Sequence, residues 1–213
     1  MRLLFVSVIL LLTACTTSPE KQFHSGYLSD YTVLKTVDVD DDSELQRFIS
    51  DKIKTRGYTQ VMLDPISYYP APQVTDTKSS EALADISHYI NKTFTNAIAS
   101  KVSLVSNPGK KTLRIKMAIT AVDVVDKELK GIDYIPIAFL FNAAKGGLND
   151  MDVKFQIETE VVDALSGEVL ASAVKTGVGV PLDNEESQLK LDNLKPLIDS
   201  WSKTLVKTLV ENM

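Results

Sequence analysis

The chain is poor in the residues that most often carry chemistry. It has one cysteine and two histidines among 213 residues. A lone cysteine cannot close an internal disulfide. Together these three side chains cannot furnish a protein zinc site, which draws on several His and Cys ligands. His24 and His88 stand far apart without a ligand-spaced neighbour, so a histidine-based triad has nothing to build on. No nucleophile elbow and no phosphate-cradling glycine loop occurs. Gly146-Gly147 and Gly177-x-Gly179 are isolated and read as turns or bulges. No cofactor is expected. Also missing is an apolar run long enough to span a membrane, which takes about 20 residues. Basic charge is in deficit: 23 Lys and Arg against 28 Asp and Glu give a net charge of −5. An acidic surface repels phosphate backbones at long range, so nucleic acid is not an expected partner.

What is present is an ordinary globular composition, 44% hydrophobic and 24% charged. Such a chain suits one domain with one core. The N-terminus departs from that pattern. Arg2 is followed by the uncharged apolar run Leu3 to Leu12, broken only by Ser7, and then by Leu12-Thr13-Ala14-Cys15. A short basic start and an apolar stretch of this length make a signal peptide, here residues 1–14.

Its end resembles a lipobox, the processing site of bacterial lipoproteins, carried by Leu12, Thr13, Ala14 and Cys15. The resemblance implies a diacylglyceryl group on the Cys15 thiol, cleavage before Cys15 and acylation of the new amine. The alternative is an ordinary secretory signal followed by a chance cysteine. One acyl chain binds a bilayer only marginally, whereas two or three give stable attachment at about 0.8 kcal/mol per buried methylene. Thr16 follows the cysteine. The family's sorting rule, in which Asp at that place retains a protein in the inner membrane, then implies the outer membrane and its periplasmic face.

Residues 15–26 are expected to be a flexible tether, and residues 27–213 a single globular domain. Thr16 to Gln22 is polar and without period, with a mean reach on the order of 15 Å. Asp38, Asp40, Asp41 and Asp42 lack the glycine and the distal glutamate of a calcium loop; they read as a solvated acidic turn.

Further along, Ser43 to Arg56 fits either a helix ending at Gly57 or, over Leu45 to Ile49, an edge strand. Gln60 to Tyr69 predicts a strand with an edge or bulge at Pro65. Ser79 to Lys101 predicts a helix with the stripe Leu83, Ile86, Ile90, Phe94, Ala97 and Ile98. Thr112 to Val125, Val153 to Asp163 and Glu168 to Val180 alternate as strands, the last two joined in a hairpin. Asn193 to Val210 predicts a final helix with Pro196 in its first turn. The expected fold is α+β: a mainly antiparallel sheet of about four to five strands with two long helices packed on one face.

Several segments in this order resemble a known family: Ser25-Gly26-Tyr27-Leu28-Ser29-Asp30-Tyr31, Asp64-Pro65, Asn107-Pro108-Gly109, Ala118-Ile119-Thr120, Asp163-Ala164-Leu165-Ser166-Gly167-Glu168 and Trp201. With the lipobox they are similar to the proteobacterial lipoproteins grouped as domain of unknown function 3313. The resemblance implies an envelope lipoprotein with no assigned reaction, so no catalytic residues carry over. The layout is also similar to transport-auxiliary lipoproteins, at the level of fold.

Three surfaces are candidates for function. Ile132 to Leu148 is unusually apolar, and Tyr134, Ile137, Phe139, Leu140 and Phe141 form a candidate contact surface for a partner, a lipid or the bilayer; a buried connection over the sheet is the alternative. Glu158 and Glu160 share one strand face roughly 7 Å apart. A carboxylate-based hydrolase would need such a pair, but the expected reading is the wet side of a sheet. Asp123 and Asp126 are a weaker pair. Lys101, Lys110, Lys111, Arg114 and Lys116 make a basic cluster, read as solvated or as contacting anionic headgroups. The expected function is a non-catalytic, lipid-anchored interaction module with a protein partner in the envelope. A hydrophobic-ligand or lipid-binding protein is the alternative.

Overall fold

The computed structural model describes residues 24–39, 41, 43–74, 77–126, 151–182 and 189–213. The lipobox, Cys15 and the Tyr134–Phe141 surface lie outside these residues, as do the side chains of Asp123 and Asp126.

Eight strands form one sheet: β1 Lys35–Val37, β2 Glu44–Ile49, β3 Gln60–Leu63, β4 Ser67–Tyr68, β5 Ser103–Leu104, β6 Thr112–Asp126, β7 Met151–Asp163 and β8 Val169–Val178. Their order is β1-β2-β8-β7-β6-β3-β5, with β4 also on β6. The fold is α+β as expected, but the four to five strands become eight. The extra strands β1, β4 and β5 are two or three residues long, too short for alternation to register in the sequence. The long β6, β7 and β8 pair antiparallel, while β3, β4 and β5 pair parallel.

Ser43 to Arg56 resolves into both readings in turn: β2, which lies inside the sheet between β1 and β8, and the short helix α1 Lys52–Arg56. Gly57 ends α1 at φ 59°, its N–H reaching the Lys54 carbonyl, a left-handed cap that glycine adopts without steric cost. The β7–β8 hairpin closes through Asp163. Its Oδ1 accepts the Leu165 and Ser166 N–H groups, and its Oδ2 accepts the Tyr58 hydroxyl at 2.7 Å. The Ser166 N–H and then the Tyr58 hydroxyl hold the Asp163 carboxyl down at about 2, because each bond favours the charged form.

Two long helices complete the core, α2 Thr77–Ala99 and α3 Leu191–Asn212. Leu83, Ile86, Ile90, Phe94 and Ile98 of α2 are buried at helical spacing. On β7, Val153, Phe155 and Ile157 point to the side where Phe155 stacks on Trp201 of α3, ring centres 5.5 Å apart. These residues, the α2 stripe and alternate positions of β6 form one apolar cluster. Helix α3 begins two residues before the expected start, so Pro196 falls beyond the first turn. At its start Asn193 ties the helix to the chain leaving β8: its Nδ2 donates to the Val180 carbonyl and its own carbonyl accepts the Val180 N–H.

Gly177 and Gly179 are the places where α3 approaches the sheet end most closely. A Cβ on Gly177 would meet Trp201 at 2.9 Å, and one on Gly179 would meet the Asn193 carbonyl oxygen at 2.4 Å. The expected role in turns or bulges is thus replaced by one in close packing.

Candidate functional site

The sheet has two unlike faces, and each bears a site. On the face opposite Phe155, Gln156 and Glu158 of β7 are fully buried. Gln156 Nε2 donates to Thr120 Oγ1 of β6 and to Glu158 Oε1, and its Oε1 accepts Thr176 Oγ1 of β8. A polar row therefore crosses three strands. Residues Ser25 to Tyr31 cover it as a strap. The Ser25 N–H donates to Glu158 Oε1 at 3.2 Å and the Tyr31 hydroxyl donates to Glu158 Oε2 at 2.5 Å.

Tyr31 is itself held. Its oxygen accepts the Gly26 and Leu28 N–H groups, and His24 stacks on its ring at 4.2 Å. Leu28 is buried, and Tyr27 packs edge-on against Tyr69. Burial pushes the Tyr27 phenol up to about 12, with Glu160, Asp64 and Glu158 adding repulsion for a phenolate. The expectation of a wet Glu158 is corrected here: the strand face is polar but covered. Alternation in a strand reveals which side a residue takes and not what lies over it. Glu160 accepts Lys116 Nζ and Ser29 Oγ. Both carboxylates thus serve the strap and the sheet, and Glu158 has no path to a substrate while the strap is seated.

On the other face a cavity of about 110 Å³ lies between the C-terminal half of α3 and the sheet. Its floor is made of small side chains on neighbouring strands. Thr159 of β7 pairs with Ala173 of β8, which pairs with Arg47 of β2; Ala171 pairs with Ile49. Residues paired across strands share a face, so Thr159, Ala173, Ala171 and Arg47 all look toward α3. Leu205 and Leu209 roof the space without filling it, and Phe94, Ile157 and Trp201 wall it.

Two cations touch this cavity. Lys175 is buried, pairs with Asp41 at 3.0 Å and sits 5.4 Å over the Trp201 ring. Asp41 also accepts Ser200 Oγ, and Trp201 Nε1 donates to Ser43 Oγ, so the segment before β2 is stitched to α3. Arg47 is half-buried, with Thr208 Oγ1 at 3.3 Å.

A third feature is an open groove between α2 and α3. Lys101, Lys203 and Lys207 border it beside Asp199 and Glu211, with Ala97, Val206 and the exposed Val210 among them. Three members of the expected basic cluster are engaged: Arg114 pairs with Asp64, Lys116 with Glu160, and Lys111 bonds the Arg56 carbonyl. His88 is exposed on α2. Among the described residues no three His, Cys, Asp or Glu side chains gather as metal ligands, and no helix is long and apolar enough to cross a membrane. Sequence reasoning missed Arg47, Thr159, Ala171 and Ala173. A run of small residues facing inward was the available signal, but facing positions are known only once strands are paired.

The domain is α+β, with a strap from Ser25 to Tyr31 over one face of its sheet and a cavity under α3 on the other. The family described as "Protein of unknown function (DUF3313)" matches residues 24–205, and the chain belongs to this family of bacterial lipoproteins. It is 29% identical over 199 residues to the Uncharacterized lipoprotein YdcL of Escherichia coli (strain K12), spanning 91% of this chain and 89% of that one. Among solved structures it is similar to a PelC dodecamer from Paraburkholderia phytofirmans (13% identity, 78% of this chain and 96% of that one, TM-score 0.41). It is also similar to a putative neuraminyllactose-binding hemagglutinin homolog from Helicobacter pylori (10% identity, 74% and 86%, TM-score 0.34). Both structures are too distant to carry a function across.

Proposed function

We propose that this protein is held at the periplasmic face of the outer membrane by acyl chains on Cys15, and that its domain is a non-catalytic module that binds a hydrophobic ligand. The observation that carries the ligand reading is the cavity under α3. Its floor of Thr159, Ala171 and Ala173 leaves room where larger side chains would close the core. Close packing is the rule in protein interiors, so three adjacent small residues under a helix are a built hollow. Native mass spectrometry of protein extracted from cell envelopes tests this. The expected spectrum contains a bound species of aliphatic mass beyond the Cys15 modification, and Ala173→Phe removes it. A wild-type spectrum with the lipidated chain alone overturns the reading.

A second reading is favoured by the lysine-bordered groove of α2 and α3. There the protein would dock a partner in envelope assembly or transport. Crosslinking from Lys203 in intact cells should yield one defined partner, and its absence counts against this surface.

A further inference from the structure

We infer that the cavity under α3 takes a single aliphatic chain ending in one negative charge, a medium-chain fatty acid, with Arg47 as the residue that binds the carboxylate. This rests on the ligand-binding reading above and names the ligand's class.

Size sets the first limit. An engineered apolar cavity of about 150 Å³ admits a benzene ring, and small-molecule pockets usually begin near ~300 Å³. A cavity of about 110 Å³ therefore accepts the end of one slim chain. A two-chain lipid does not fit. The lining is aliphatic and aromatic, as a methylene chain requires.

Charge sets the second. Three arginines lie among the described residues. Arg56 pairs with Glu168 at 2.7 Å and Arg114 with Asp64 at 2.7 Å. Arg47 instead has the hydroxyl of Thr208. A guanidinium carries five donors in a planar fork that matches a carboxylate, so this one keeps donors to spare. It sits beside the cavity because Arg47 is in register with Ala173 of the floor. Lys175, the other cation there, is committed to Asp41 and to the Trp201 ring.

The rim sets the third. Asp38, Asp41 and Glu211 line the polar recess that Arg47 shares with the cavity, together with Lys207. Added carboxylates disfavour a doubly charged head. With Asp41 taken by Lys175, Arg47 and Lys207 stand against Asp38 and Glu211, so a head with a single charge disturbs the balance least, and a fatty carboxylate carries one.

The test uses the lipidated full-length protein in nanodiscs of phosphatidylethanolamine and phosphatidylglycerol. Three probes carry a diazirine at the chain end: decanoate, decanol and a decanoyl lysophosphatidylglycerol. Peptide mapping after illumination reads the site. In the wild type, decanoate should label 201–209 and 171–173 about tenfold more than decanol, the ratio set by one charge-assisted hydrogen-bonded pair. Arg47→Met should bring the two probes level while cavity labelling by decanol persists. Ala171→Val, a mild filling of the floor, should weaken all labelling there.

Equal labelling of the wild type by decanoate and decanol overturns the assignment of Arg47 and leaves the cavity reading standing. Stronger labelling by the lysolipid overturns the free acid as the ligand. Labelling of no cavity peptide by any probe overturns both the inference and the reading beneath it.

Discussion

Four hydrogen bonds converge on one oxygen at Tyr31: two backbone N–H groups donate to it, Ser25 Oγ lies at 3.4 Å, and its own hydroxyl donates to the buried Glu158. The arrangement solves a problem that the sheet creates, since a buried carboxylate is costly unless donors surround it. Tyr31→Phe would leave Glu158 with Ser25 and Gln156 alone and would orphan two strap N–H groups. Hydrogen bonds to charged groups contribute about 1.5–3 kcal/mol, so urea unfolding should show a loss in that range, with early proteolytic cleavage near Ser29. An unchanged midpoint would mean the strap is not seated on Glu158. Burial first, and then the bond to Glu158, raise the Tyr31 phenol above its ordinary value. A raised folded value means that this contribution is intact below the ordinary tyrosine range near ~10. It is lost as pH climbs through the higher folded value. Alkaline loosening of the strap is therefore expected in the wild type and absent in Tyr31→Phe. Of this site the sequence displays the seven residues and the two glutamates, but not their meeting, because 127 positions separate Tyr31 from Glu158.

Secondary structure was legible where a period could run. The α2 stripe, the β7–β8 hairpin and the apolar side of β6 each have ten or more residues over which 3.6 or 2 repeats. The short β1, β4 and β5 have two or three, and the parallel pairing of β3 leaves no local mark. Gly177 and Gly179 were visible as residues and opaque as packing, since what they admit is a helix twelve or more residues onward. The two differ in what they face. Around Gly177 the nearest atoms belong to side chains, which can shift. At Gly179 the nearest is the Asn193 carbonyl oxygen, fixed in the first turn of α3 and bonded to Val180. Gly179→Ala must push the start of α3 away from the sheet. Overpacking of this kind costs about 1–3 kcal/mol, and a thermal melt should show the loss. A melt unchanged within error would mean that α3 is not seated against β8 at this point.

At the scale of the whole molecule the question is which way the domain faces. Nine residues separate Cys15 from Ser25, where the strap begins. Fully extended they span at most about 30 Å. A domain of this length is roughly 40 Å across. Under the proposed acylation of Cys15, a linker shorter than the body it holds makes the strap side the near side. The Glu158 face then looks to the bilayer, and the α2–α3 groove looks away from it. Two readouts follow. With the proposed acyl chains as the attachment, Cys15→Ser should move the protein from the membrane pellet to the soluble fraction. A variant that stays in the pellet would show that another element binds the membrane. In the lipidated wild type, a label at Ser29 should be quenched by paramagnetic lipid more strongly than one at Lys203. Equal quenching would mean that the domain tumbles freely on its tether. The reverse order would put the lysines, and the groove they border, against the anionic headgroups instead.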